Sequence, residues 1–258
     1  MGKPISLLHV EDEPGFAELA VEFLTRADEQ LSVTIELDPE TALERFRADP
    51  DAVDCIVSDY DMPGMNGLEL LGAVREDSSE LPFVMFTGRG SEEIASEAIS
   101  LGVSDYIQKE GRSDTYELLA HRIRNSVERR RAEVDAARTR RFLEKVVERA
   151  TDMIAVVDST GEIVFVSGSV ESILGYTPDE VKEMGPFELV HPDDRERIEE
   201  RFRERLTAPD HPTGVTHRAR RKDGSDVRVE ARAYNLVDDP DLEGVLIYTR
   251  ATESDDVN

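Results

Sequence analysis

Over its first 120 residues the chain alternates short apolar runs with amphipathic stretches of helical period. Ile5–Val10 is an apolar run that stops at Glu11 and Asp12. Pro14 then opens a stretch with Phe16, Leu19, Ala20, Phe23 and Leu24 spaced for one helix face. Val33–Leu37 reads as a second strand, Pro39 to Phe46 as a helix, Val53–Ser58 as a third strand. A helix follows from Gly67, with Leu68, Leu70, Leu71 and Val74 on its apolar side. Pro82–Phe86, Ser91–Leu101 and Ser104–Gln108 continue as strand, helix and strand. Such a repeat predicts a doubly wound five-stranded parallel sheet with helices on both faces and a site at the carboxyl ends of its strands.

From Ser113 to about Thr151 there is neither Gly nor Pro, and the period is helical throughout. Tyr116, Leu119, Ile123, Val127, Val134 and Ala137 fall near a heptad stripe that Arg130 and Arg141 interrupt. After residue 151 the period changes. Met153–Val157 and Glu162–Ser167 read as strands, with short helices at Val170–Leu174 and Pro178–Glu183 and a longer one over Pro192–Leu206. Asp223-Gly224 marks a hairpin, after which Val227, Val229, Ala231 and Ala233 alternate with Arg228, Glu230, Arg232 and Tyr234. Gly244–Thr249 is the last strand, and the polar tail Glu253–Asn258 is expected to fray. The chain therefore divides into an α/β domain at 3–120, a helical, coiled-coil-like linker at 121–150 and an α+β domain with an antiparallel sheet at 151–251.

Charge narrows the partners. Thirty-one Lys and Arg stand against 57 Asp and Glu, a net charge of −26 over 258 residues. That excess disfavours DNA and anionic membrane as partners and suits a halophile's protein, whose hydrated carboxylates keep it in solution where salt screens their repulsion. Within the linker the balance reverses, with Arg129, Arg130, Arg131, Arg138, Arg140 and Arg141 among its cations. A solvated helix with its own ion pairs and a parallel dimer are both compatible with that pattern. Cys55 is the one cysteine, so the chain forms no internal disulfide. With no apolar run of membrane length and too short an apolar stretch at the N-terminus for a signal peptide, a cytoplasmic protein is expected.

Chemistry concentrates at the predicted strand ends. Glu11 and Asp12 end the first strand, Asp59 the third, Thr87 the fourth and Lys109 the fifth. Crowded carboxylates repel one another unless a cation neutralises them, and an all-oxygen site with room for water suits Mg²⁺. A carboxylate nucleophile, a metal, a hydroxyl and a lysine together fit phosphoryl transfer to a carboxylate.

The segments HVEDEP, VSDYDMPGMNG, MFTGRG and SDYIQKE, in that order, resemble the receiver domain of two-component response regulators, a flavodoxin-like fold. The resemblance implies that Asp59 is the phosphoacceptor and that Glu11 and Asp12 are the acidic pair. It further implies Mg²⁺ held by the side chains of Asp12 and Asp59 and the carbonyl of Asp61. Thr87 would hydrogen-bond the phosphoryl group, Lys109 would pair with it, and Tyr106 takes the place of the switch aromatic. A sensor histidine kinase is the implied phosphodonor. The implied chemistry is self-phosphorylation and slow self-dephosphorylation rather than conventional enzymatic turnover. Glu110 stands where the family usually has proline, and Glu11 replaces the commoner Asp. Asp59 and Asp61 alone also resemble the haloacid-dehalogenase phosphatases, but Pro63 stands where that family expects Thr or Val. His121 is followed by Arg122 and not by the acid usual after a kinase's phosphoacceptor, so it is read as an ordinary helical residue.

The segment from about residue 142 to 251, through DMIAVVDSTGEIVFVSGSVESILGYTPDE, LVHPDDRER and HRARRKDGSDVRVEARA, resembles a PAS domain. That implies a small-molecule sensor or an interaction module, with pairing of two chains through linker and PAS domain. A flavin adduct would need a cysteine there, and a haem would call on His191, His211 or His217. The ligand and the downstream protein target have no signature. A ligand sensor in which the receiver only docks is the alternative arrangement.

Overall fold

The structure, a computed structural model, describes residues 3–88, 92–109, 113–185, 187–207 and 213–252. The chain divides into two compact units, 1–137 and 138–258.

In the first unit β1 (Ile5–Val10), β2 (Leu31–Glu36), β3 (Cys55–Ser58), β4 (Phe83–Thr87) and β5 (Asp105–Gln108) form one sheet in the order β2-β1-β3-β4-β5, with every pairing parallel. Between them run α1 (Pro14–Ala27), α2 (Pro39–Ala48), α3 (Gly67–Asp77) and α4 (Glu92–Ser100), and α5 (Ser113–Glu148) follows β5. Alternate residues of each strand feed opposite cores, because successive side chains point to opposite faces of a sheet. Leu8, Val10, Ile56, Phe83 and Met85 pack with α2 and α3. Ile5, Leu7, Cys55, Val57, Val84 and Phe86 pack with α1 and the start of α5. The inner strands β1, β3 and β4 are thus buried on both faces, which is why they read as apolar runs, while the edge strands β2 and β5 keep exposed or half-buried polar residues.

Two expectations need correction. On α1 the buried positions are Ala17, Ala20 and Leu24, while Phe16 and Leu19 are 48% and 39% exposed, so the helix is rotated from the expected face. Ala17 and Ala20 are each 1% exposed, so small side chains occupy the closely packed side of the helix. The heptad reading of α5 also fails in its first half: Tyr116, Leu119, Ile123 and Val127 are buried in the first unit's core. That core draws in residues beyond 120. Val134, Phe142, Leu143 and Val146 are exposed.

In the second unit β6 (Met153–Asp158), β7 (Ile163–Val166), β8 (Thr213–Arg220), β9 (Asp226–Leu236) and β10 (Gly244–Ala251) form an antiparallel sheet in the order β7-β6-β10-β9-β8. The helices α6 (Ser169–Leu174), α7 (Pro178–Glu183) and α8 (Pro192–Thr207) lie between β7 and β8 in the chain. Gly224 has φ +86° at the β8–β9 hairpin, the left-handed conformation that Asp-Gly signals. Among the described residues no helix is long and apolar enough to cross a membrane.

Candidate functional site

The parallel register decides what meets at the sheet's edge. Val10 lies opposite Ser58, so the residues that follow, Glu11 and Asp59, leave the sheet side by side. Asp59 is held there by its backbone, its N–H donating to the Val10 carbonyl at 2.9 Å. Glu11, Asp12 and Asp59 place carboxylate oxygens within 4.8 Å of one another. Lys109, just past β5, reaches across and donates from Nζ to Glu11 Oε2 at 2.6 Å and to Asp59 Oδ2 at 2.8 Å. The other oxygen of Asp59, Oδ1, accepts the Tyr60 N–H at 2.6 Å.

Burial grades the acids. The Glu11 side chain is 2% exposed and that of Asp59 13%, and Asp12 is half-buried. Desolvation pushes the Glu11 carboxyl above its ordinary range, with the Lys109 hydrogen bond opposing it. Burial alone would lower the Lys109 ammonium, but hydrogen bonds to Asp59 and Glu11 outweigh it and the pKa is raised, so Lys109 stays charged. Its Nζ also lies 5.7 Å from the Phe16 ring centroid and 5.6 Å from that of Phe86. His9, buried behind the cluster, is pushed down to about 4 by desolvation and is neutral.

A cleft of about 490 Å³ opens over these groups, and Asp12, Asp59, Asp61, Thr87 and Lys109 line it with Phe16 and Tyr116. Thr87 is fully buried at the end of β4, while Asp61 is exposed. Tyr106, on β5, packs on the core beneath α4, and its hydroxyl is buried with no hydrogen-bond partner among the described residues. Desolvation raises its pKa. Residues 11, 12, 59, 61, 87 and 109 therefore share one cleft or its wall, as the strand-end reading requires. The three clustered carboxylates fit a hard cation: all donors are oxygen, and the cleft leaves room for water.

One residue escaped the reading from sequence. At Gly67, the first residue of α3, an added Cβ would sit 2.2 Å from the Asp59 carbonyl oxygen and 2.9 Å from Met85 Sδ. The helix start is pinned there by an Asn66–Glu69 capping box and by the Gly67 N–H, which donates to the Tyr60 carbonyl at 2.9 Å. The glycine in MNG thus reads as a helix boundary in sequence, whereas its function is to let α3 approach the backbone of Asp59. Glu110 and His211 lie outside the described residues. His121 is exposed on α5 and pairs with Asn125 at 3.1 Å. His191 accepts the Asp193 N–H on Nδ1 at 3.2 Å, so that ring nitrogen holds a turn. Cys55 lies buried in β3, where desolvation raises its thiol pKa far above the ordinary value.

Comparison with known proteins finds likenesses in two parts of the chain. Residues 7–124 match the family model of the response regulator receiver domain, and residues 163–245 match that of the PAS fold. The bacterioopsin transcriptional activator of Halobacterium salinarum is 28% identical over 70% of this chain and 28% of its own length. The transcriptional regulatory protein FixJ of Bradyrhizobium diazoefficiens is 42% identical over 21% of this chain and 27% of its own length. This chain therefore corresponds to under a third of either relative. Among solved structures, the chemotaxis protein CheY4 of Vibrio cholerae is 26% identical, covering 46% of this chain and 98% of that one at a TM-score of 0.42.

Proposed function

Because this chain carries a response regulator receiver domain followed by a PAS fold, we propose that it is a two-component response regulator that takes a phosphoryl group onto Asp59. The observation that carries the reading is the Lys109 ammonium bridging Glu11 and Asp59 beside Asp12 in an open cleft. Receiver domains take their phosphoryl group from histidine kinases, and a phosphohistidine is the donor proposed here. An Asp59 carboxylate oxygen attacks phosphorus in line as the phosphorus–nitrogen bond breaks. Lys109 holds that carboxylate by its hydrogen bond and then faces the transferred group, and Thr87 offers its hydroxyl to a phosphoryl oxygen. Glu11, Asp12 and Asp59 would hold Mg²⁺, with Asp61 contributing its carbonyl; the ion supplies charge neutralisation between the carboxylates and the phosphoryl oxygens.

A phosphoryl group brings about −1.5 to −2 charge and three acceptor oxygens. Thr87 moves toward it, and Tyr106, whose hydroxyl lacks a partner among the described residues, turns into the space released. Two packings are thereby shifted in population by the contacts the phosphoryl group makes in only one of them. The signal passes along α5 to the PAS fold, a sensory and interaction module. The exposed Phe142, Leu143 and Val146 support pairing of two chains through this helix. Output is protein contact, the acidic charge opposing direct binding to DNA. The relatives bear names of transcriptional regulators, which belong to those proteins. The chain modifies and demodifies itself and has no other turnover.

The test is labelling with acetyl phosphate and Mg²⁺ followed by mass spectrometry. One phosphoryl group per chain on Asp59, lost in Asp59→Asn with the circular dichroism unchanged, is the expected result. Labelling of Asp59→Asn at the wild-type level, or multiple turnover on simple phosphomonoesters as a haloacid-dehalogenase phosphatase would show, removes the proposal.

A further inference from the structure

The second unit holds a partly open hollow that its side chains leave unfilled. Ala155 on β6, Ala219 on β8 and Ala231 and Ala233 on β9 line a cavity of about 630 Å³. At inward positions of a sheet packed on helices, side chains of Leu or Ile size would close such a volume, and interiors ordinarily are closed. The size falls within the roughly 300–1,000 Å³ of small-molecule sites.

The polar groups around this apolar space are mostly cationic. Along α8, Arg197, Arg201 and Arg205 recur every fourth residue and reach the lining, with Glu204 the acid beside them. Arg201 pairs with Glu204 at 3.1 Å, and Arg197 donates to the Thr216 carbonyl at 3.2 Å. Arg205 is 5% exposed, a guanidinium drawn into the unit rather than left in solvent. From the sheet, the inward-facing His217 has a buried Nδ1 with no well-formed hydrogen bond among the described residues. Arg197 and Arg201 stand at the exposed rim and Arg205 is buried behind them, a cationic group that contrasts with a chain of net charge −26. Guanidinium binds carboxylate through paired hydrogen bonds, and an apolar surround strengthens them.

We propose that this cavity binds an amphipathic carboxylate, its apolar body against the alanines of β6 and β9 and its acid group directed to Arg205 and His217. The arginines of α8 select the anionic head, and the missing side-chain volume accepts the tail. The inference deepens the sensory reading of the PAS fold and rests on it, but not on phosphorylation of Asp59.

The experiment is isothermal titration calorimetry of the full chain with dodecanoate and 4-phenylbutanoate, each below its aggregation threshold, and with 1-dodecanol and dodecyltrimethylammonium as head-group controls. Saturable one-to-one binding of at least one acid is expected, with the alcohol bound at least tenfold more weakly and the cation not at all. Ala231→Leu, which fills the cavity, abolishes binding. Arg205→Gln weakens it at least tenfold; should that variant fail to fold, the exposed Arg201→Gln weakens it severalfold. No saturable binding of either acid, equal affinity for dodecanoate and 1-dodecanol, or undiminished binding by folded Ala231→Leu overturns the proposal. Asp59→Asn binds the acid as the wild type does, so failure here leaves phosphoryl acceptance standing, and failure of labelling leaves this site standing.

Discussion

Adding one methyl group at Gly67 tests whether the close approach of α3 to Asp59 builds the site. In Gly67→Ala the new Cβ begins 2.2 Å from the Asp59 carbonyl oxygen. Carbon and carbonyl oxygen settle at about 3.3 Å or more, so the helix start or the strand end must yield by about 1 Å. Neither is free to do so. The Asp59 N–H is bonded to Val10, and the Gly67 N–H to Tyr60, both at 2.9 Å. Met85 Sδ, 2.9 Å away, closes another direction. Overpacking a tight site costs roughly 1–3 kcal/mol, and a contact with backbone belongs at the upper end. A displacement of that size at a reacting group also slows chemistry by up to about 100-fold. The same substitution five residues on is the control: a Cβ at Gly72 meets nothing within 4 Å. In a helix interior Gly→Ala is worth up to about 1 kcal/mol in favour of folding. The chain has no Trp, so urea unfolding is followed by far-UV circular dichroism, with hydrogen exchange mass spectrometry localising the change. Gly67→Ala should lose about 3 kcal/mol in peptides covering β3 and α3 and be labelled by acetyl phosphate at least tenfold more slowly. Gly72→Ala should be unchanged or more stable and be labelled at the wild-type rate. Equal stability of the two variants, or a normal labelling rate in Gly67→Ala, refutes the reasoning.

Lys109→Met removes the cation shared by Glu11 and Asp59 and should cost roughly 2–3 kcal/mol in the first unit, below the 3–5 kcal/mol of a fully buried pair, since Lys109 and Asp59 side chains are 15% and 13% exposed. Hydrogen exchange of β1 and β3 without divalent cations measures it, and protection equal to the wild type would show the bridge to be neutral. His217 is pushed down to about 4, chiefly by desolvation, with Asp194 raising and Arg197 lowering it. The unfolded chain therefore binds the proton first, so the contribution is full above pH 6.5 and is lost as pH falls toward 4, by at most about 3 kcal/mol. His217→Gln should flatten that slope in thermal melts of the second unit's peptides between pH 6.5 and 4; a slope identical to the wild type would assign the acid sensitivity elsewhere.

Much of this architecture is written locally. Apolar runs such as Ile5–Val10 and Phe83–Thr87 are buried on both faces, and a strand with no polar side has no sequence pattern except continuity. Asp223-Gly224 announces its own turn, because only a residue without a side chain takes φ +86° without strain. The acids and the lysine of the site are also visible, since each follows the end of an apolar run. Other features depend on what lies across the fold. On α1, Phe16 and Leu19 look like core in sequence, yet the buried positions are Ala17, Ala20 and Leu24. The first half of α5 has the period of a coiled coil and packs as core. Local periodicity states that a stripe is apolar; it does not state what covers it. Gly67 is the same case at the scale of one atom, its constraint set by a carbonyl eight residues earlier. What this sequence determined by itself is which segments are strands and helices, and that carboxylates and a lysine stand at strand ends, because those are properties of neighbouring residues. The tertiary structure alone decided which helix faces are covered, that Lys109 bridges Glu11 and Asp59, and that small side chains on three strands leave a cavity, because each depends on segments that approach one another only when the chain folds.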